Sequence, residues 1–204
     1  MNITRKLQLL RGRWMCLRGV TAGRRFGLGR FVEIHSPQYL TAGDDVSIGD
    51  FGYLFCCKQG VRLGSHCSID RHLWLHCGCT SLDAEHSIFE LGEYSFIGCN
   101  AVIGAGGGIR IGKHVLIGQS VNIHAESHVF DDPSRLIREQ GIHYQGIVIE
   151  DDVWVGSKVT ILDGVKIGRG AIVAAGAVVT RSVPSMTIAA GIPARIIKHR
   201  VLEH

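Results

Sequence analysis

Apolar residues fall at every sixth position along the last third of the chain. Ile149, Val155, Ile161, Ile167, Val173 and Val179 keep this spacing without a slip. An amphipathic helix repeats near 3.6 residues and a half-buried strand near 2, so a period of six fits neither. It fits a coil in which each hexad makes one short flat side and then a corner. About three hexads would close a triangular turn, with the apolar residue of each pointing to the axis. Gly156 and Gly168, directly after two of these residues, read as small corner positions.

Upstream the pattern returns with interruptions. Leu91, Ile97 and Ile103 form one set, and the frame then shifts by two through Gly106-Gly107-Gly108, where glycine permits the bend. It resumes at Ile111, Ile117, Ile123 and Val129. Weaker hexads at Ile48 and Leu54, then Leu63, Ile69 and Leu75, carry it back toward residue 46, with Ser81 breaking the apolar series. Polar stretches such as Gly112-Lys113-His114 and Glu150-Asp151-Asp152 are predicted corners facing water, where Gly, Asp and Asn tolerate unusual backbone angles.

The two terminal segments depart from this frame. Ile3, Leu7, Leu10, Trp14 and Leu17 advance by steps of four and three, which predicts one apolar stripe on a helix whose other faces carry Arg5, Lys6, Arg11, Arg13 and Arg18. Such a helix is expected to cover the open first coil, whose β edge would otherwise invite association. Contact with an anionic membrane surface is the alternative use. Pro193 followed by Ala194, Arg195, Ile196, Ile197 and Lys198 predicts a short C-terminal helix with proline in its first turn. Leu202-Glu203-His204 reads as a tag remnant and carries no argument. The expected division is therefore a basic helix and lead-in over 1–25, the repeat over 26–190 with a projecting loop at 130–146, and a helix and tail over 191–204.

Composition narrows the picture. With 204 residues, 46% hydrophobic content, 27 glycines and only 7% aromatic residues, one repeat domain with a narrow aliphatic interior is the economical reading. The net charge of +4 is mild and no dense Lys/Arg block interleaves with aromatics, which argues against nucleic acid as a partner. Seven cysteines, an odd number without a recognisable secretory leader, are expected to be reduced, which together suggests a cytoplasmic protein. Cys77-Gly78-Cys79 with His72 and His76 lacks the Cys-x-x-Cys spacing of a metal site, so these cysteines read as small buried apolar residues and no metal is assigned. No apolar run approaches the roughly 18 residues that a membrane span needs.

Candidate chemistry sits at the one long departure from the strong repeat. Between Val129 and Ile147 the chain is polar and holds no six-residue frame, so it must project from the coil, as loops that carry function on a rigid scaffold do. His128 stands at its root, where an imidazole, which changes charge near neutral pH, could take a proton from a hydroxyl. A lone loop histidine is ordinarily just solvated, so this residue alone does not establish an activity. Glu126, Asp131 and Asp132 are near enough in sequence to orient the ring, and the sequence does not choose among them.

Several stretches carry a family resemblance: Ser127-His128 followed by Asp132-Pro133 and Arg138-Glu139-Gln140-Gly141; Val153-Trp154-Val155-Gly156-Ser157; Ile161-Leu162-Asp163-Gly164-Val165-Lys166-Ile167-Gly168; and Ala190-Gly191-Ile192-Pro193-Ala194-Arg195. From Ile111 to Lys198 the chain resembles the hexapeptide-repeat acyltransferases, particularly the sugar O-acetyltransferases that include galactoside and maltose acetyltransferases. The resemblance implies an all-β, left-handed parallel β-helix, assembled as a homotrimer, with acetyl-CoA and acceptor in the clefts between subunits. The spacing alone shows a coil but not its hand. By the same resemblance His128 is the general base and the Ser157 amide is the oxyanion donor. Ser157 and Ala175 would contact pantetheine, Trp154 would cover it, and Thr180, Arg181, Arg195 and Lys198 would meet the phosphates and adenine end of CoA. Ordinary surface charge is the alternative for those basic residues. The implied acceptor is a sugar hydroxyl of a bacterial surface polysaccharide or its precursor. Rival readings are an amino-sugar N-acetyltransferase, a metal-dependent carbonic-anhydrase-like trimer using His124 and His128, and a non-catalytic scaffold.

Overall fold

The structure, a computed structural model, describes residues 3–78 and 85–200; Cys79, Ser81 and Leu202-Glu203-His204 lie outside them. Helix α1, Ile3–Leu17, leads into a left-handed parallel β-helix. Among the described residues, strands mostly two or three residues long stack into a first sheet of seven, a second of nine and a third of seven, the chain visiting them in turn.

Register makes the hexads into three inward columns. Ile111 pairs with Ile149 and Ile149 with Ile167 in the first sheet, Ile117 with Val155 and Val155 with Val173 in the second, and Ile103, Ile123, Ile161 and Val179 follow one another in the third. Every one of these side chains is at most 3% exposed. Removing each from water contributes about 1.5–3 kcal/mol, which is why so aliphatic a period winds on itself. The columns reach back past residue 46, through Leu40, Ala42, Ile48 and Leu54 to Leu28, and the first strand is already Thr21–Ala22.

The corner is made three residues after each inward side chain. Asp152, Lys158, Gly164, Gly170 and Gly176 have φ of 58°, 59°, 75°, 66° and 72°. Gly156 is not the turning residue. It is small because the next coil passes so close that a Cβ there would lie 2.6 Å from the Ala175 nitrogen.

Among the described strands, extra residues enter at the corner between the third and first sheets. The inward residues run from Ile34 to Ala42, Leu54 to Leu63, Leu75 to Leu91, Ile103 to Ile111 and Ile123 to Ile149, and only Ile161 to Ile167 keeps the plain hexad there. The frame shift at Gly106-Gly107-Gly108 is one of these expansions.

The C-terminal expectation is corrected. Arg195–His199 is a strand, not a helix, and runs antiparallel to Thr187–Ala190. The last coil leaves an unpaired edge whose ladder hydrogen bonds outweigh helix propensity, Ile196 and Ile197 suit a strand, and Gly191 at φ 98° turns the chain back. Helix α1 does cover the first coil, but Gly12 and Met15 face it, while Ile3, Leu7, Leu10, Trp14 and Leu17 face outward.

Candidate functional site

His128 ends the two-residue strand Ser127–His128, which pairs antiparallel with Ile142–His143 and so makes the neck of the projecting loop. The loop has its own scaffold. Gln140 accepts from the Asp132 N–H at 3.0 Å and donates to the Asp132 and Arg135 carbonyls at 2.8 and 3.2 Å. Its return is pinned by Asp163, whose carboxylate accepts from the Gln145 N–H at 3.0 Å and the Gly146 N–H at 2.8 Å. His128 is exposed at this rigid root.

The three nearby carboxylates now separate. Asp132 accepts from the Ser134 hydroxyl at 2.6 Å and the Ser134 N–H at 2.9 Å, and these bonds hold its carboxyl below the usual range. It is thus committed to the loop. Asp131 is exposed. Glu126 lies between adjacent coils against Gly106, and its Oε2 is buried without a hydrogen-bond partner among the described residues. A Cβ on Gly104 would meet His124 Nδ1 and Glu126 Oε1 only at ordinary contact distances of 3.7 and 3.8 Å, whereas one on Gly106 would collide with the Glu126 carboxylate, so Gly106 is the glycine that this seat requires. In the sequence Gly106 marks only a frame shift, and Gln140 and Asp163 stand only within the stretches that carry the resemblance, with no sign there of what each contacts. The reach of Asp163 back to residues 145 and 146 has no local signal in the chain.

Ser157 and Ala175 stack at the corner between the second and third sheets, where the Gly176 N–H donates to the Ser157 carbonyl at 2.9 Å. Along this corner a side chain can cap the amide one coil before it. Asp50 Oδ1 accepts from the Arg30 N–H at 2.7 Å, and Ser157 Oγ accepts from the Gln119 N–H at 3.2 Å. The residue one coil beyond Ser157 is Ala175, which has no oxygen to do the same for the Ser157 N–H. An outward amide is left beside a small side chain, which suits a thin amide-bearing ligand.

The other candidates fall into two groups. Trp154, 54% exposed, stands on the outer side of the second sheet between Leu116 and Ile172. Arg195 pairs with Ala190 and Lys198 with Ile188 on the same sheet's last strand, both exposed, so they share its side with Trp154 and the Ser157 corner. Thr180 and Arg181 follow Val179 and lie instead at the corner between the third and first sheets, the corner that His128 occupies in an earlier coil. One chain therefore does not bring His128 together with Ser157 and Ala175.

Four of the described cysteines are packing residues. Cys56, Cys57, Cys67 and Cys77 are buried, and burial pushes the Cys56 thiol up to about 12 and the Cys77 thiol well above its usual value.

Comparison with known proteins adds to this geometry. Residues 146–181 match the bacterial transferase hexapeptide (six repeats). The chain is 35% identical over 130 residues to a protein of Mycobacterium tuberculosis described as a probable acetyltransferase, a match spanning 63% of this chain and 43% of that protein. It is 58% identical over 52 residues to a 2,3,4,5-tetrahydropyridine-2,6-dicarboxylate N-acetyltransferase of Staphylococcus aureus, spanning 26% of this chain and 22% of that one. The chain thus spans less than half the length of either relative. A hexapeptide-repeat acetyltransferase of Vibrio cholerae, solved with acetyl coenzyme A, superposes with a TM-score of 0.53 at 28% identity, covering 97% of this chain and 84% of that one. The N-acyltransferase AntD of Bacillus cereus, a variant of which is solved with dTDP and coenzyme A, shares the fold at a TM-score of 0.63 and 20% identity, covering 93% and 89%. Residues 146–181, which match the bacterial transferase hexapeptide, thus lie within a longer left-handed coil of inward hexads.

Proposed function

We propose that this protein is an acetyl-CoA-dependent acetyltransferase that acts on a sugar hydroxyl, with a bacterial surface polysaccharide or its precursor as acceptor. The observation that carries the reading is the separation just described. The base and the uncapped donor corner lie on different edges of neighbouring coils, so a cleft between copies of the chain would complete the site. A homotrimer supplies such clefts by rotation. The outward row Phe96, Leu116, Trp154, Ile172 and Ile188 on the second sheet provides an apolar side for a copy to cover.

In the proposed reaction the neutral His128 imidazole takes the proton as the hydroxyl oxygen attacks the thioester carbonyl. The Ser157 N–H meets the developing oxyanion. Collapse breaks the carbon–sulfur bond, and the imidazolium returns its proton to the departing thiolate. Ser157 and Ala175 hold pantetheine, Trp154 covers it, and Arg195 and Lys198 offer positive charge to the CoA phosphates, with Thr180 and Arg181 contributed across the cleft. An amine acceptor is the second reading, favoured by the N-acetyltransferase match over 52 residues.

The test is thiol release from acetyl-CoA over a panel of sugars and amino sugars. His128→Ala is expected to lower turnover by about 10² to 10⁴ while keeping CoA binding and the thermal midpoint. A mutant at the wild-type rate removes His128 from the mechanism, and turnover confined to amino sugars decides for the second reading.

A further inference from the structure

Helix α1 is turned inside out relative to an ordinary surface helix, which lays its apolar stripe on its own core. Ile3, Leu7, Leu10, Trp14 and Leu17 are 76%, 47%, 58%, 56% and 87% exposed, while Gly12 and Met15 are buried. At about 100° per residue, the stripe is centred opposite the face formed by Gly12, Met15 and Cys16. The close seating on that inner side depends on Gly12, whose missing Cβ would strike the Phe26 carbonyl. Packing against the coil therefore holds five large apolar side chains in water.

The charges around the stripe are of one sign. Lys6 and Arg13 border it on one side, Arg11 and Arg18 on the other, and the helix contains no acidic residue. The Arg18 guanidinium sits over the Trp14 ring at 4.8 Å, while Arg11 leans back to donate to the Leu28 carbonyl at 3.1 Å. Asp44, Asp45 and Asp50 in the coil beneath are held by Arg24, Arg25 and Arg30, so they do not neutralise the outer face. Because α1 covers the first coil, its outer face is the end of the prism, which a flat surface can reach end-on.

We propose that α1 is an interfacial helix that seats this protein on an anionic lipid bilayer. The five apolar side chains enter the boundary between headgroups and acyl chains, and Lys6, Arg13 and Arg18 lie at the level of the lipid phosphates. An apolar stripe bordered by cations on both sides complements a surface that is apolar in depth and negative at its rim. A second copy of the chain would present the same cations to themselves.

Co-sedimentation tests this with vesicles of phosphatidylcholine alone and with about one-third phosphatidylglycerol. The wild type is expected to pellet with the anionic vesicles, to bind the neutral ones far less, and to be released by about 0.5 M NaCl. Leu7→Gln, Leu10→Gln and Trp14→Gln together should weaken binding at least about tenfold. Lys6→Gln, Arg13→Gln and Arg18→Gln together should weaken it about a hundredfold. Both variants should keep the wild-type thermal midpoint and light-scattering mass, since the altered side chains face water. The proposal is overturned if the wild type stays in the supernatant, if it binds both vesicles equally, or if the apolar variant changes the mass, which would assign the stripe to a second copy. None of these readouts depends on catalysis.

Discussion

The corners of the first coils and those of the last are built on the same turn but finished differently. Around residues 24–51 the coil satisfies itself. The Arg24 N–H reaches Asp44 at 2.7 Å and its guanidinium the other oxygen at 2.9 Å; Arg30 repeats this on Asp50 at 2.7 and 2.7 Å. Exposed rings continue the pattern, with Phe31 stacked on Phe51 at 5.2 Å, Phe51 on His72 at 5.1 Å and His66 on Tyr94 at 4.6 Å. Around Ser157 and Ala175 the corner carries small side chains and an outward amide, with Arg195 and Lys198 exposed nearby. Both regions bury the same aliphatic columns. The difference teaches that in a repeat fold the inward residue specifies the coil, while binding depends on which corner groups the coil leaves unanswered.

Making the last corner like the first should have the largest effect. Ala175→Asp would place at that corner the carboxylate that Asp50 supplies one coil after Arg30, capping the Ser157 N–H and adding negative charge near the phosphate side. CoA binding measured by calorimetry should fall about a hundredfold with the thermal midpoint unchanged or raised. Unchanged affinity would move the donor away from this corner. Arg195→Ala with Lys198→Ala comes next: about tenfold weaker CoA, with a smaller loss for dephospho-CoA if they meet the 3′-phosphate. Equal losses for both ligands would send that phosphate elsewhere.

The smallest effect belongs to the first coils. Hydrogen bonds from the Arg24 N–H to Asp44, the Arg25 guanidinium to Asp45 and the Arg30 N–H to Asp50 hold all three carboxyls below the usual range. Lowered folded values mean that their stabilisation is fully present above the unfolded carboxyl value of about 3.9 and is lost as pH falls through the folded values. Exchanging all three for Asn should therefore reduce the drop in melting temperature between about pH 6 and pH 3, modestly, because these pairs are exposed and screened. An identical acid slope would place the acid sensitivity in other groups.

Much of the coil was legible because its signal is one-dimensional. An inward residue recurs at a fixed chain distance, so Ile149 to Val179 and the sets led by Ile111, Leu91 and Leu63 could be placed from spacing alone. The early coils were fainter because their inward positions include Ala42 and their third corner varies in length. The C-terminal helix failed for a physical reason: Pro193 followed by a short mixed run carries no information about an edge strand six residues back that needs a partner.

The sequence by itself determined the period, the inward columns, the projecting loop with His128 at its root and the basic, amphipathic character of residues 3–17. Only the tertiary structure decided which groups meet. Capping of a corner amide, the seat of Glu126 against Gly106, and the division of His128 from Ser157 depend on contacts between residues one or more coils apart, which no local pattern encodes. The same holds for α1. Its amphipathicity is a property of the helix alone, but which side meets the coil is set by Gly12, whose lack of a side chain lets the backbone approach Phe26 closely and turns the apolar stripe to the outside.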